Sequence, residues 1–106
     1  MTSKMEEDLG EAEEMFKALG DRTRLEILLA LGEEEKCVHE IADEIDQEIS
    51  NVSHHLRRLK DKRLVGYRKE GRHKYYEIKD DHVLRMLQEG VDHARERGRA
   101  GHLSNV

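Results

Sequence analysis

The chain has 106 residues, which is enough for one domain with a modest hydrophobic core. Charged residues make up 41% of the chain and aromatic residues 4%, so the core must be built from Leu, Ile, Val and Met. No apolar run approaches the roughly 18 residues of a membrane span. Residues 1–10 lack the apolar stretch of a signal peptide, and a single cysteine excludes an intramolecular disulfide framework. We therefore expect one cytoplasmic domain over 1–106, with flexible tails at 1–5 and 98–106.

The first two predicted elements are helices. Residues 5–19 form an amphipathic pattern whose apolar positions recur at helical spacing, at Leu9, Ala12, Phe16 and Leu19. Asp21 follows and suits the N-cap of a second helix over 22–31, which is the most apolar element of the chain. A charged connection over 33–36 separates this pair of helices from the next elements.

Two further helices are predicted on either side of a short turn. A third helix is expected over 37–45, and residues 46–48 form the turn. The fourth helix ends near Lys62. Its apolar residues are spaced by three and four positions, and we expect all of them to be buried: Ile49, Val52, Leu56 and Leu59. Residues 38–62 therefore predict a helix-turn-helix.

The hydrophobic period changes to that of a strand in "LVGYRKEGRHKYYEI". Two runs, 65–69 and 74–78, alternate apolar with polar residues, and Gly71 lies between them. The residues that share one face across the turn are Val65, Tyr67, Tyr76 and Ile78. This pattern predicts a β-hairpin over 65–78.

Asp80 is placed to cap a last helix, which is expected over 80–97. The order of helix, helix, helix-turn-helix, hairpin and helix predicts a mainly α protein with a β-hairpin. This order is typical of a winged helix-turn-helix, in which the hairpin is the wing.

The fourth helix and the wing carry most of the basic residues. Between residues 50 and 79 there are ten Lys or Arg and three acidic residues, although the whole chain carries −5. A local basic surface attracts phosphate whatever the total charge, and short polar side chains beside arginines suit a helix in the major groove. The candidate DNA-binding residues are Ser50, Asn51, Ser53, His54, His55 and Arg57 on the helix, with Arg68, Lys69, Arg72 and Lys74 on the wing. A solvated charged face is the competing explanation.

Four segments carry a resemblance to one family: "FKALGDRTRLEILLAL", "CVHEIADEI", "SNVSHHLRRLKDKRLV" and "YRKEGRHKYYEI". Together they are similar to the ArsR/SmtB family of metal-sensing repressors, from about Phe16 to Glu96. The resemblance implies a homodimer that packs through its terminal helices. It also implies that the metal-free dimer binds double-stranded operator DNA and that metal binding releases the DNA.

The last predicted helix has an acid and a histidine near each end. Asp80 and His82 lie at its start, and His93 and Glu96 lie near its end. A helix rises about 1.5 Å and turns about 100° per residue, so His82 and His93 share a face but lie roughly 16 Å apart. Metal–ligand distances near 2 Å exclude one shared ion within a single chain.

Two antiparallel copies of this helix would bring the two pairs together. Asp80 and His82 of one chain would meet His93 and Glu96 of the other, which gives two four-ligand sites per dimer. Two imidazoles and two carboxylates suit Zn(II), with Co(II) close behind, whereas Ni(II) prefers more ligands. The spacing is similar to that of the C-terminal-helix site of the SmtB-like zinc-sensing branch. We therefore expect Zn(II) as the effector.

Other branches of the family bind thiophilic metals through paired cysteines near the start of the third helix. In this chain Cys37, His39 and Glu40 occupy that region, and the resemblance marks them as candidates for a second sensor site. The alternative function is a winged-helix regulator that senses oxidation or a thiophilic metal through Cys37. An enzyme is not expected, because four protein ligands would close the coordination shell of the metal.

Overall fold

The computed structural model describes residues 2–104, and it describes side chains as far as residue 98. The described residues form five helices and three strands: α1 (Ser3–Leu19), α2 (Arg22–Leu31), β1 (Lys36–Cys37), α3 (Val38–Ile45), α4 (Ile49–Asp61), β2 (Val65–Glu70), β3 (His73–Ile78) and α5 (Asp81–Ser104). This order confirms the predicted mainly α chain with a β-hairpin. None of the described helices is long and apolar enough to cross a membrane.

Local capping interactions set the ends of the first two helices. The side chain of Thr2 accepts a hydrogen bond from the backbone N–H of Met5 at 3.2 Å, so α1 begins two residues earlier than predicted. Asp21 Oδ2 accepts a hydrogen bond from the backbone N–H of Arg24 at 3.0 Å and starts α2. Gly32 ends α2 with a φ of 47°, a backbone conformation that glycine adopts readily. The predicted bounds of α2 are confirmed.

The wing, formed by β2 and β3, belongs to a three-stranded antiparallel sheet in the order β1, β3, β2. Val65 pairs with Ile78 and Tyr67 pairs with Tyr76, as the alternating pattern predicts. Strand β1 was not predicted. It has only two residues, which is too short to show a period, and its pairing with β3 defines it.

One hydrophobic core joins the helices to the base of the wing. Its residues with no exposed surface are Ile27, Leu28, Ile41, Val52, Leu56, Leu59 and Val83. Ile49 is 43% exposed, so the prediction that it is buried is wrong. It is the first residue of α4 and lies beside the outer side of α3, before the helix reaches the core.

The two terminal helices extend beyond this core. Leu19 is buried, but Met5, Leu9 and Phe16 are 53%, 53% and 58% exposed, so the apolar face of α1 is largely uncovered in the single chain. The helix α5 continues to Ser104 instead of ending near residue 97. The predicted tail over 98–106 is therefore helical as far as Ser104, and residues 105 and 106 lie outside the described residues.

Candidate DNA-binding surface and metal-ligand helix

The outer face of α4 presents part of the predicted DNA-binding set. Val52, Leu56 and Leu59 hold the helix against the core and turn its opposite face to solvent. On the outer side, Ser50, His54 and Arg57 are exposed, and Asn51 and Ser53 are half-buried. Polar side chains of this length can reach the edges of bases or a phosphate.

His55 does not share that face. It is half-buried within electrostatic reach of Asp21 and Arg24, and its Nδ1 atom is buried without a hydrogen-bond partner among the described residues. Burial lowers the pKa of His55, although the Asp21 carboxylate acts in the opposite direction. The expectation that His55 faces outward is wrong. It follows Val52 by three residues and precedes Leu59 by four, which places it beside the buried stripe.

Arg68 is engaged by acidic residues. Its guanidinium donates hydrogen bonds to both carboxylate oxygens of Glu35 at 2.6 to 3.0 Å and to Glu70 Oε2 at 2.6 Å. The hydrogen bond from Arg68 lowers the pKa of Glu35, and those with Glu35 and Glu70 raise the pKa of Arg68. Arg68 therefore pairs with two carboxylates, although the sequence analysis assigned it to DNA contact. Lys69, Arg72 and Lys74, the other predicted wing cations, are exposed.

A cavity of about 550 Å³ separates α4 from the wing. Arg57, Arg72 and Lys74 line it, as do Lys60 and Tyr67, which the sequence analysis did not single out. A signal for Lys60 was available, because it follows Arg57 by three residues on the same helix. Tyr67 was assigned only to the hydrophobic alternation of the hairpin.

Asp80 and His82 come together at the start of α5. The Oδ1 atom of Asp80 accepts a hydrogen bond from the backbone N–H of His82 at 2.8 Å and lies 3.1 Å from His82 Nδ1. Partial burial acts to raise the pKa of Asp80, but the hydrogen bonds from His82 outweigh it, and the pKa is lowered. The side chain of His82 is 80% exposed. An ionised carboxylate beside an accessible imidazole is a pair of donors that fits Zn(II).

His93 and Glu96 are exposed further along the same helix. Among the side chains of residues 2–98, no three from His, Cys, Asp and Glu lie close enough to hold one metal ion. Within one chain the four predicted ligands therefore stay in two pairs, as helix geometry requires.

The proposed second sensor residues have a different arrangement. Cys37 is buried at the start of α3, and its backbone N–H donates a hydrogen bond to Glu40 Oε1 at 3.0 Å. Hydrogen bonds from the backbone and side chain of Cys37 lower the pKa of Glu40. This contact closes the first turn of the helix in the manner of a capping box. His39 is exposed, and the three residues form no three-ligand cluster within the described part of the chain.

Comparison with known proteins gives the same family by sequence. Residues 21–67 match the family described as "Bacterial regulatory protein, arsR family". The chain is 43% identical over 83 residues to the transcriptional repressor SmtB homolog of Synechocystis, a match that covers 78% of this chain and 63% of that protein. It is 42% identical over 83 residues to the cadmium resistance transcriptional regulatory protein CadC homolog of Staphylococcus aureus, covering 77% and 69%. This chain thus spans about two thirds of the length of either relative.

Solved structures agree with the sequence matches. The AntR antimony-specific transcriptional repressor superposes with a TM-score of 0.82 at 34% identity, covering 92% of this chain and 86% of that one. The homodimeric winged helix-turn-helix domain of Mb0332 from Mycobacterium bovis superposes with a TM-score of 0.80 at 28% identity, covering 100% and 94%. The chain therefore belongs to the ArsR/SmtB family, whose members are DNA-binding transcriptional regulators and not enzymes.

Proposed function

We propose that this protein is a metal-responsive transcriptional repressor that binds operator DNA as a homodimer and releases it when Zn(II) or Co(II) binds between the last helices of the two chains. One observation carries the proposal. Asp80 and His82 are paired at the first turn of α5, and a second exposed pair, His93 and Glu96, lies on the same helix. A second copy of this chain is the simplest source of the missing ligands.

The terminal helices supply a surface on which a second copy can pack. Met5, Leu9 and Phe16 are each more than half exposed, which is a large apolar area for one helix. The Mb0332 domain, which has the same fold, is homodimeric. Packing of α1 and α5 against their symmetry copies would cover this face and bring the α5 helices side by side.

The donor chemistry favours Zn(II) or Co(II). The proposed site consists of Asp80 and His82 of one chain with His93 and Glu96 of the partner subunit. These four residues would hold Zn(II), which would tie the two α5 helices together, and two imidazoles with two carboxylates are donors that suit it. The CadC and AntR relatives are named for cadmium and antimony. No thiolate belongs to the proposed site, and Cys37 already caps α3, so thiophilic metals are disfavoured.

The helix-turn-helix and wing of each chain, residues 38–78, form its reading head, and the two reading heads would engage successive half-sites of the operator. The helix α4 would enter the major groove with the wing beside it, and a two-fold dimer places the heads about one helical turn apart. A dimer geometry that suits the metal but misaligns the heads lowers DNA affinity. Linkage makes the effect reciprocal, and typical couplings of about 1–3 kcal/mol change affinity about 5–150-fold.

Subunit complementation tests the shared site. We would prepare one double variant, Asp80→Ala with His82→Ala, and a second, His93→Ala with Glu96→Ala. Neither should show the visible absorption of tetrahedral Co(II). After the two variants are unfolded and refolded together, half of the dimers are mixed and each has one intact site. The mixture should then bind about a quarter as much Co(II) as the wild type.

A matched control uses the neighbouring acids Asp81 and Asp92. Their double replacement by alanine should leave Co(II) binding unchanged. No recovery in the mixed sample, or full binding by either double variant alone, would refute the shared site. A strong near-ultraviolet thiolate band on Co(II) addition would move the sensor to Cys37.

Release of operator DNA, selected from a random duplex library, is followed by fluorescence anisotropy on Zn(II) addition.

A further inference from the structure

We infer that the cavity between α4 and the wing is a binding site for a phosphate group. Lys60, Lys74 and Tyr67 would hold the phosphate. This inference rests on the proposed DNA binding and deepens it, because the phosphate of a duplex backbone is the occupant that the geometry favours. Two of these residues, Lys60 and Tyr67, lie outside the set that the sequence marked for DNA contact.

Two cationic side chains converge on one aromatic ring in this cavity. The Nζ atom of Lys74 lies 4.8 Å from the ring centroid of Tyr67, and that of Lys60 lies 5.3 Å from it. Lys60 belongs to α4 and Lys74 to β3, so the ring of Tyr67 links the helix to the wing. Contact with the ring attracts each ammonium group and partly offsets the repulsion between them. An anion between the two groups would remove the rest of that repulsion.

No acidic residue that the structure describes in the lining of the cavity balances its positive charge. Among the described residues, no Asp or Glu lines the cavity. Its lining includes four Lys or Arg side chains: Arg57, Lys60, Arg72 and Lys74. Some basic residues elsewhere on the surface have acidic partners. Lys62 pairs with Glu14 at 3.2 Å, and Arg68 pairs with Glu35 at 2.6 Å. Four cations in one lining without a described acidic residue favour an external anion.

The position of the cavity identifies a source for the anion. A helix in the major groove and a wing in the adjacent minor groove have one sugar–phosphate strand between them, because that strand separates the two grooves. The cavity lies between α4 and the wing, so this strand would cross it. Two ammonium groups and a phenolic hydroxyl are the donors that commonly bind backbone phosphates.

The salt dependence of DNA binding tests this phosphate-binding site directly. The metal-free, reduced protein is titrated into a fluorescein-labelled duplex of arbitrary sequence at several NaCl concentrations. Each phosphate contact contributes about 0.9 to the slope of log affinity against log salt. Lys60→Gln and Lys74→Gln should each lower the slope by roughly that amount for each bound subunit. Tyr67→Phe should weaken binding at every salt concentration with the slope unchanged.

Two controls remove the same charge outside the cavity. Lys62→Gln lies near the end of α4 with its ammonium group against Glu14, and Lys79→Gln lies just after β3 with its ammonium group against Glu77. Both should keep the wild-type slope. Equal losses of slope in Lys60→Gln and Lys62→Gln would overturn the inference, because they would show general electrostatics. Thermal unfolding by circular dichroism confirms that all five variants are folded.

A second arm separates backbone phosphate from free phosphate. Inorganic phosphate is titrated against chloride at constant ionic strength while the aromatic NMR resonances of Tyr67 are followed. A reduced slope in the cavity variants assigns the phosphate-binding site to the DNA backbone. An unchanged slope, with a saturable phosphate-induced shift that Lys60→Gln abolishes, assigns it to free phosphate. If neither effect occurs, the inference is wrong. If the wild type binds no duplex, the proposed function fails, and the NMR titration still decides whether the cavity binds phosphate.

Discussion

The helix-turn-helix with its wing and the pair of terminal helices differ in how much of their structure one chain provides. In the first region, Val52, Leu56 and Leu59 have no exposed surface, and the strands of the wing pair fully with one another. In the second region, Leu9 and Phe16 are more than half exposed, and the metal-ligand candidates stay in two separate pairs. The reading head is complete in the monomer, whereas the proposed sensor needs a partner.

The two regions therefore depend on different sources of free energy. Burial of the core fixes the shape of the reading head within each chain. The proposed sensor depends on dimerisation, so its stability varies with protein concentration and with bound metal. Such a protein can change its DNA affinity by reorienting two rigid heads, with no change inside either core.

Replacing Leu9 by Glu should have the largest effect and is confined to the second region. Leu9 is 53% exposed in the single chain, so the fold of each chain should survive. Burial of two symmetry-related carboxylates in the dimer would cost several kcal/mol each. We expect a single-chain mass by light scattering under conditions where the wild type is a dimer, together with loss of Co(II) absorption and unchanged helical circular dichroism.

The neighbouring substitution Asp8→Ala provides the control for Leu9→Glu. It changes an exposed polar residue of the same helix and should leave both mass and Co(II) binding at wild-type values. A Leu9→Glu protein that stayed dimeric would show that the apolar face of α1 is not the interface.

Truncation of Leu56 to Ala tests the other half of the comparison. Leu56 has no exposed surface and lies in the middle of α4, so its loss leaves a cavity in the core. The free energy of unfolding in urea should fall by about 2–5 kcal/mol. Ile49→Ala, on the same helix but 43% exposed, should change it by less than about 1 kcal/mol. Comparable losses in both variants would contradict the assignment of Ile49 to the surface.

The fold was predictable wherever a local signal repeats or a cap is present. Asp21 marked the start of α2, and the alternation around Tyr67 and Tyr76 gave the register of the hairpin. Strand β1 was missed because two residues carry no period. The helix α5 was predicted too short, because Gly98 and Gly101 have weak helix propensity, yet the helix continues through them.

The candidate site was predictable where neighbours in sequence meet, and less so where distant elements do. Asp80 and His82 are two residues apart, and the structure places them in contact. The engagement of Arg68 by Glu35, 33 residues away, depends on how β1 joins the sheet, so no local pattern signals it. Spacing alone could have placed His55 against the core, but its polarity argued for the outer face.

The smallest predicted effect concerns Asp21, which caps α2 beside His55 of the reading head. A hydrogen bond from the backbone N–H of Arg24 lowers the pKa of Asp21 more than partial burial raises it. Asp21→Ala should therefore destabilise the protein by about 1 kcal/mol at pH 7. Because the pKa in the folded state lies below the unfolded value of about 3.9, this contribution is present above that pH. It is lost as the pH falls through the folded value.

Urea unfolding at pH 7 and pH 3 measures the difference between the wild type and Asp21→Ala. The difference should shrink on acidification, and the Co(II) stoichiometry at neutral pH should not change, because Asp21 lies beside His55 of the reading head and in neither terminal helix. Asp21→Asn keeps an oxygen acceptor without the charge, so it should retain most of the stability at pH 7 and show less pH dependence. If Asp21→Ala abolished Co(II) binding, the reading head and the sensor would be coupled within one chain, and the separation between the two regions would not hold.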